Sequence, residues 1–302
     1  QARGNTWFWM SSGCCVPVFF LEKRQVVLMD SGLQGGMGEA LLDFLVREGL
    51  SVRAVLTSHA HIDHTGNHRL LQKRYGAKVF ASLFNAAVLE NPLGLKAYFY
   101  EDTYQELLQH REAMYCQTDQ LILPGQETVE VEGASFAILP LPGHAPEHMG
   151  FITPDKVCYV ADLLLGRKEL YRTKLPYVMC CGSDLRSKRM AQDWAYSGYL
   201  LAHCGYVSGS ELGSLAASNI EMWRDNLEQT MKCFSKPITL SDAVTSVLQA
   251  MGLSSRNSFR WMAFERTIRA MVQYLVDVGC LKKYLTGTQA LFVKTEKPLD
   301  KI

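Results

Sequence analysis

Four side chains able to bind a metal are packed into the six residues His59-Ala60-His61-Ile62-Asp63-His64, directly after the apolar run Val52–Thr57. In extended backbone, residues two apart point to the same side, so His59 and His61 can reach one ion. A turn through Ile62 lets Asp63 and His64 face a second point. Imidazole and carboxylate form the ligand set of zinc, and also of iron or manganese. Only eight histidines occur in the chain, so three within six residues are not a chance feature of a solvated loop. Taken singly, His144 in Pro142-Gly143-His144 reads as a turn histidine, and Asp162 after Tyr159-Val160-Ala161 as a strand-terminal cap.

The elements that must position these residues alternate between strand and helix. Val16–Leu21, a charged turn at Glu22-Lys23-Arg24, and Gln25–Met29 read as a hairpin that delivers Asp30 to the turn Asp30-Ser31-Gly32. Glu39–Glu48 has apolar residues at helical spacing. The glycines before it fit neither G-x-G-x-x-G nor a P-loop, which argues against nucleotide binding. Val52–Thr57 predicts a buried strand, His68–Tyr75 a helix, Lys78–Ala81 a strand, and Leu83–Thr118 a mostly helical insertion. Strands follow at Val129–Val131, Ala134–Leu139 and Lys156–Val160. This is an α/β pattern with the chemistry on loops at strand ends. Beyond about residue 208 the pattern predicts helices over Ser214–Phe234, Leu240–Met251 and Phe259–Val278, stopped at Gly279. A hairpin of Cys280–Tyr284 and Ala290–Lys294 ends the series, an order that resembles a winged helix.

Composition narrows the function. With 31 basic and 30 acidic residues, the net charge of +1 leaves no electrostatic footprint for nucleic acid. No apolar run approaches the roughly 20 residues of a membrane span. Gln1-Ala2-Arg3-Gly4 does not open a signal peptide, and nine cysteines without a C-x-x-C read as reduced thiols, so a cytoplasmic protein is expected.

His-x-His-x-Asp-His after an apolar strand resembles the signature of the metallo-β-lactamase superfamily. The further landmarks stand in the same order: Asp30 in an Asp-Ser-Gly turn, His144, Asp162, and His203 after Tyr199-Leu200-Leu201-Ala202. The resemblance covers roughly residues 8 to 210 and implies an α/β fold, the metallo-β-lactamase αββα sandwich. It implies residues 1–210 as catalytic domain and 211–302 as a C-terminal helical, winged-helix-like subdomain. Carried over, His59, His61 and His144 hold one metal; Asp63, His64 and His203 hold a second; Asp162 bridges them. Two divalent ions, zinc first and iron or manganese as alternatives, then supply a bridging hydroxide near neutral pH. Asp63 is the residue expected to orient that nucleophile and shuttle a proton. Around His203 the family's Gly-His-Gly is replaced by Ala202-His203-Cys204. Asp30 is expected behind the ligands, orienting an imidazole. His148 reads as a packing or surface residue with a supporting role at the site as the alternative, while His68 and His110 have no companions at metal spacing.

The superfamily's chemistries leave the substrate open. His61 stands where flavodiiron-type relatives carry Glu, which argues against redox chemistry. The resemblance to the glyoxalase II-like branch points to a hydrolase of a small ester, thioester or lactone. A phosphodiesterase or nuclease of the same fold, or a non-catalytic metal-binding protein, are the alternatives. Specificity is expected from the insertion, with Tyr98, Phe99, Tyr100, Tyr104 and Tyr115, and from Leu163–Tyr199, whose Arg167, Lys168, Arg172 and Lys174 offer positive charge. The subdomain is expected to pack on the catalytic domain or form a homodimer contact rather than to read DNA.

Overall fold

The computed structural model describes residues 1–96 and 103–299. Tyr98, Phe99 and Tyr100, and the side chain of His110, lie outside the described residues. The first sheet runs in chain order through β1 (Thr6–Ser11), β2 (Cys14–Phe20), β3 (Gln25–Met29), β4 (Ser51–Leu56), β5 (Lys78–Ser82) and β6 (Gln120–Ile122). The second comprises β7 (Thr128–Val131), β8 (Ala134–Pro140), β9 (Met149–Ile152), β10 (Val157–Ala161), β11 (Gly198–Leu201) and β12 (Gly205–Ser208). The two sheets meet where Cys15 N–H donates to Ala202 O at 2.6 Å.

Alternation along the strands builds a layered core. Val27 and Met29 face the inter-sheet core with Phe136, Phe151 and Tyr159, whereas Val26 and Leu28 face outward. Their outward partners are Leu41 and Leu45 of α1 (Gly36–Arg47). α2 (Ile62–Thr65) carries the second half of the metal-type motif, and Leu71 of α3 (His68–Tyr75) joins the same outer layer. On the second sheet Tyr159 and Ala161 point inward, and Cys158 and Val160 point to the opposite face. This alternation of period two is what makes an αββα sandwich from fully apolar strands.

The insertion forms α4 (Leu83–Glu90), α5 (Pro92–Leu95) and α6 (Tyr104–Met114). α7 (Arg167–Arg172) and α8 (Cys181–Gln192) lie between β10 and β11. α9 (Gly209–Lys232) starts five residues before the expected Ser214, because Ser208 and Glu211 form a reciprocal capping box. Its Leu212, Leu215 and Ala216 cover the second sheet, while Trp223, Leu227 and Met231 enter a separate core. That core is completed by α10 (Leu240–Ala250), α11 (Ser258–Asp277) and a small sheet. The sheet has order β13 (Ile238–Thr239), β15 (Gln289–Lys294), β14 (Leu281–Thr286), the helix–helix–hairpin pattern of a winged helix. Leu175, Val178, Cys181 and Leu185 join this core as well, so the α8 region is shared with it.

Candidate metal centre

Each candidate ligand leaves the end of a strand. Thr57 N–H continues the β4–β5 ladder to Phe80 O, after which the chain bends at Ser58 and passes His59 to reach His61 in extended backbone. The turn expected at Ile62 is the first residue of α2, whose N–H of His64 bonds to His61 O. The buried Asn85 side chain accepts from Ala60 N–H, and Met149 N–H donates to Ser58 O, so the motif is tied to α4 and to β9. His144 sits in the β8–β9 loop, Asp162 follows β10, and His203 occupies the β11–β12 turn. Gly143 has φ of +139°, and a Cβ there would lie 2.2 Å from the backbone N of Asp184. No other residue type fits without displacing α8.

The seven residues converge in two groups. His59, His61, His144 and Asp162 present ligand atoms all within 4.8 Å of one another, and so do Asp63, His64 and His203. His61 Nδ1 lies 2.9 Å from His59 Nε2 and 3.1 Å from His144 Nε2. Asp162 touches both groups: Oδ2 is 3.3 Å from His144 Nε2, and Oδ1 is 3.4 Å from both His64 Nε2 and His203 Nε2. Asp63 Oδ2 stands 3.5 Å from His203 Nε2 and 3.9 Å from His64 Nε2. A tetrahedral ion with bonds of about 2.0–2.1 Å separates its ligand atoms by about 3.3–3.4 Å, close to these spacings.

Hydrogen bonds behind the cluster fix its tautomers. Asp30 Oδ2 accepts from His64 Nδ1 at 2.8 Å, from Ser58 Oγ at 2.6 Å and from Tyr159 Oη at 2.6 Å, and its Oδ1 accepts from Ser58 N–H at 2.8 Å. His64 thereby carries its Nδ1 proton toward Asp30 and turns Nε2 to Asp162. His203 Nδ1 donates to Gly13 O at 3.3 Å, with the same effect. His64 Nε2 and Asp162 Oδ1 are both buried without a hydrogen-bond partner. Two lone-pair atoms facing each other in a buried site call for a cation between them, or a proton in its absence. The donor set fits divalent metal ions on that ground.

The electrostatics divide the imidazoles. Burial, reinforced by neighbouring histidines, holds His59 and His144 well below the usual histidine range and brings His61 down to about 4. Their lone pairs are free of protons at neutral pH. Burial works the same way on His64, but Asp162, Asp63 and Asp30 outweigh it and raise the ring well above that range. Asp162 likewise raises His203 to about 12. Burial pushes the Asp162 carboxyl up, and His203, His64 and His144 more than reverse it, leaving it well below the carboxylate range.

His148 is buried rather than superficial, its ring centroid 5.0 Å from that of His59. Its Nδ1 donates to Leu141 O at 2.9 Å, and burial lowers it to about 4. His68 bridges Ser31 Oγ and Thr57 Oγ1, sewing the Asp30 turn to α3, away from the ligand groups. Tyr177, not singled out in sequence, stacks edge-on against His61 and His144 at 5.2 and 5.5 Å. It falls in the Leu163–Tyr199 stretch, but an isolated Tyr carries no signal of such a contact. Of the four cations proposed there, Arg167 and Lys168 line a cavity beside His203, accompanied by Glu169 and Glu211. Lys174 instead bonds to Met251 O.

Residues 15–205 match the metallo-beta-lactamase superfamily, and the chain belongs to it. It is similar to the hydroxyacylglutathione hydrolase GloC of Haemophilus influenzae, 29% identical over half of this chain and 68% of that protein. A hydroxyacylglutathione hydrolase of Chromohalobacter salexigens is 26% identical over 43% of this chain, an alignment that spans only 38% of the relative. Among solved structures, a metallo-beta-lactamase family protein of Thermus thermophilus superposes with a TM-score of 0.71 at 20% identity. That superposition covers 96% of this chain and 99% of the other, so the fold likeness extends through the C-terminal region. A beta-lactamase domain protein of Burkholderia ambifaria gives 0.67 at 14% identity, covering 96% and 91%. Family membership and the His/Asp cluster together support a metal-dependent hydrolase. Among the described residues, no helix is long and apolar enough to cross a membrane.

Proposed function

We propose that this protein hydrolyses a small ester, thioester or lactone with two zinc ions, iron or manganese being the alternatives. The observation that carries the reading is Asp162, whose two oxygens each face one of the two ligand groups. In this reading His59, His61 and His144 would hold the first ion, Asp63, His64 and His203 the second, and Asp162 would serve both. A pair of ions held by these residues would supply a water acidified toward neutrality and positive charge for a carbonyl oxygen that gains electrons.

The chain's own groups do the rest. Asp30 keeps the His64 proton on Nδ1, so Nε2 stays available to a ligand. Of the two carboxylates at the front, Asp63 is the more open, with 33% of its side chain exposed against 11% for Asp162. Asp63 therefore orients the attacking water and passes its proton toward solvent. The Tyr177 ring shields the His61 and His144 edges from bulk water. Residues 1–210 make up the catalytic domain in this reading and 211–302 the accessory one.

Similarity to hydroxyacylglutathione hydrolases favours acyl over phosphoryl transfer. The test is a screen of zinc-loaded protein on acyl thioesters, lactones and bis(p-nitrophenyl) phosphate. Turnover of an acyl substrate that is abolished by chelation and by His61→Ala is expected. Turnover of the phosphodiester alone would overturn the reading.

A further inference from the structure

A cavity of about 350 Å³ opens on the His61 side of the centre. Four candidate ligands, His61, Asp63, His144 and Asp162, form its floor, and Ile62, Tyr177, Phe259, Met262 and Ala263 form its wall. Three of these wall residues belong to the first two turns of α11, in the C-terminal region. Met262 is buried against Ala60, Ala145 and the helical insertion, which anchors α11 over the metal-type motif. Phe259, by contrast, stays 47% exposed at the cavity's edge.

The wall is notable for the charges it lacks. Among the described residues, no Lys or Arg lines this cavity. Tyr177 Oη, the polar atom of the wall, accepts from Arg266 Nη1 at 3.4 Å, and Arg266 is itself buried. Of the cations near the centre, Arg167 and Lys168 line the separate cavity at His203 together with Glu169 and Glu211, and Lys188, which lines a further cavity on the other side of Tyr177, is paired with Asp184 at 2.6 Å. A charged substituent placed against Phe259 and Met262 would lose its hydration without gaining a partner from the wall. An apolar substituent gains in proportion to the area it buries there. The space is more than twice the roughly 150 Å³ that encloses a benzene ring.

We infer that the substrate carries a compact, uncharged apolar group, an aryl or branched alkyl unit, beside the bond that is cleaved. Phe259, Met262 and Ala263 of α11 select it. This rests on the hydrolase reading above and narrows it.

The test compares two thioesters of N-acetylcysteamine with the same leaving group, phenylacetyl and succinyl, on zinc-loaded protein. In parallel, calorimetry measures binding of the non-hydrolysable amides phenylacetamide and succinamate. The phenylacetyl compounds are expected to be favoured at least tenfold in kcat/KM and in affinity. Phe259→Glu should cut that preference at least tenfold; Phe259 is half-exposed, so the change is compatible with folding, and an unchanged melting temperature verifies it. Ala263→Lys, at a half-buried position of the same wall, serves as the second variant and should shift preference toward the succinyl compounds. Equal or reversed preference in the parent protein, or a preference untouched by Phe259→Glu, would overturn the inference. Absence of turnover with phenylacetamide binding intact and sensitive to Phe259→Glu would count against the hydrolase reading alone.

Discussion

Asp30 Oδ2 lies 2.8 Å from His64 Nδ1, and both side chains are almost wholly buried. Asp30 is held in left-handed backbone, φ +62°, at the point where β3 gives way to the Asp30-Ser31-Gly32 turn. Its carboxyl stays below the usual range because His64 and Ser58 outweigh the burial that would raise it. One acid thus collects four donors and sets the tautomer of a residue that faces the centre.

Asp30→Asn should therefore weaken metal binding without removing any candidate ligand. Either orientation of the amide sets an N–H group against a donor: facing Ser58 N–H it strains the turn, and facing His64 it drives the ring to move its proton to Nε2. A loss of about 10- to 100-fold in zinc affinity is expected, read by competition with a chromophoric chelator. Unchanged affinity would mean that Asp30 does not orient His64.

Gly143→Ala should be destabilising through backbone alone. The new methyl would meet Asp184 at the start of α8, and the φ of +139° is one that alanine rarely adopts. The expected cost is about 1–3 kcal/mol, measured by denaturant unfolding. A neutral result would show that α8 can move away from the loop carrying His144.

Chelation should lower thermal stability reversibly. Metal bound only by the folded chain contributes about 4 kcal/mol when free metal exceeds Kd about a thousandfold. The melting temperature is expected to fall on treatment with a chelator and to recover with zinc. A melting temperature indifferent to both would argue against a folded-state metal site.

Much of the centre was legible because its residues sit at the ends of apolar runs. Val52–Thr57 and Lys156–Val160 each mark a strand by composition, and the ligand-type residues come immediately after them. The expected bounds of β3 and α3 match the observed Gln25–Met29 and His68–Tyr75. Other elements gave no local signal. β1 was not anticipated because Trp7-Phe8-Trp9-Met10 shows no alternation, and it is fixed as an edge strand by pairing with β2. β9 is only four residues long, too short for a period to emerge, and is held between β8 and β10. Tyr159 Oη on Asp30, a contact across 129 residues, depends on how the sheets stack. Phe259 and Met262 lie some 200 residues beyond His61, and their spacing in α11 reads as an ordinary apolar helix face.

Metal content per chain tests the central claim most directly. After zinc loading and removal of excess ion, elemental analysis should find about two ions in the parent protein. His203→Ala should retain about one, since the group of His59, His61, His144 and Asp162 is left intact. His61→Ala should lose metal from that first group. Fewer than one ion in the parent protein, or a content unaffected by His61→Ala and His203→Ala, would contradict a dinuclear centre built on Asp162.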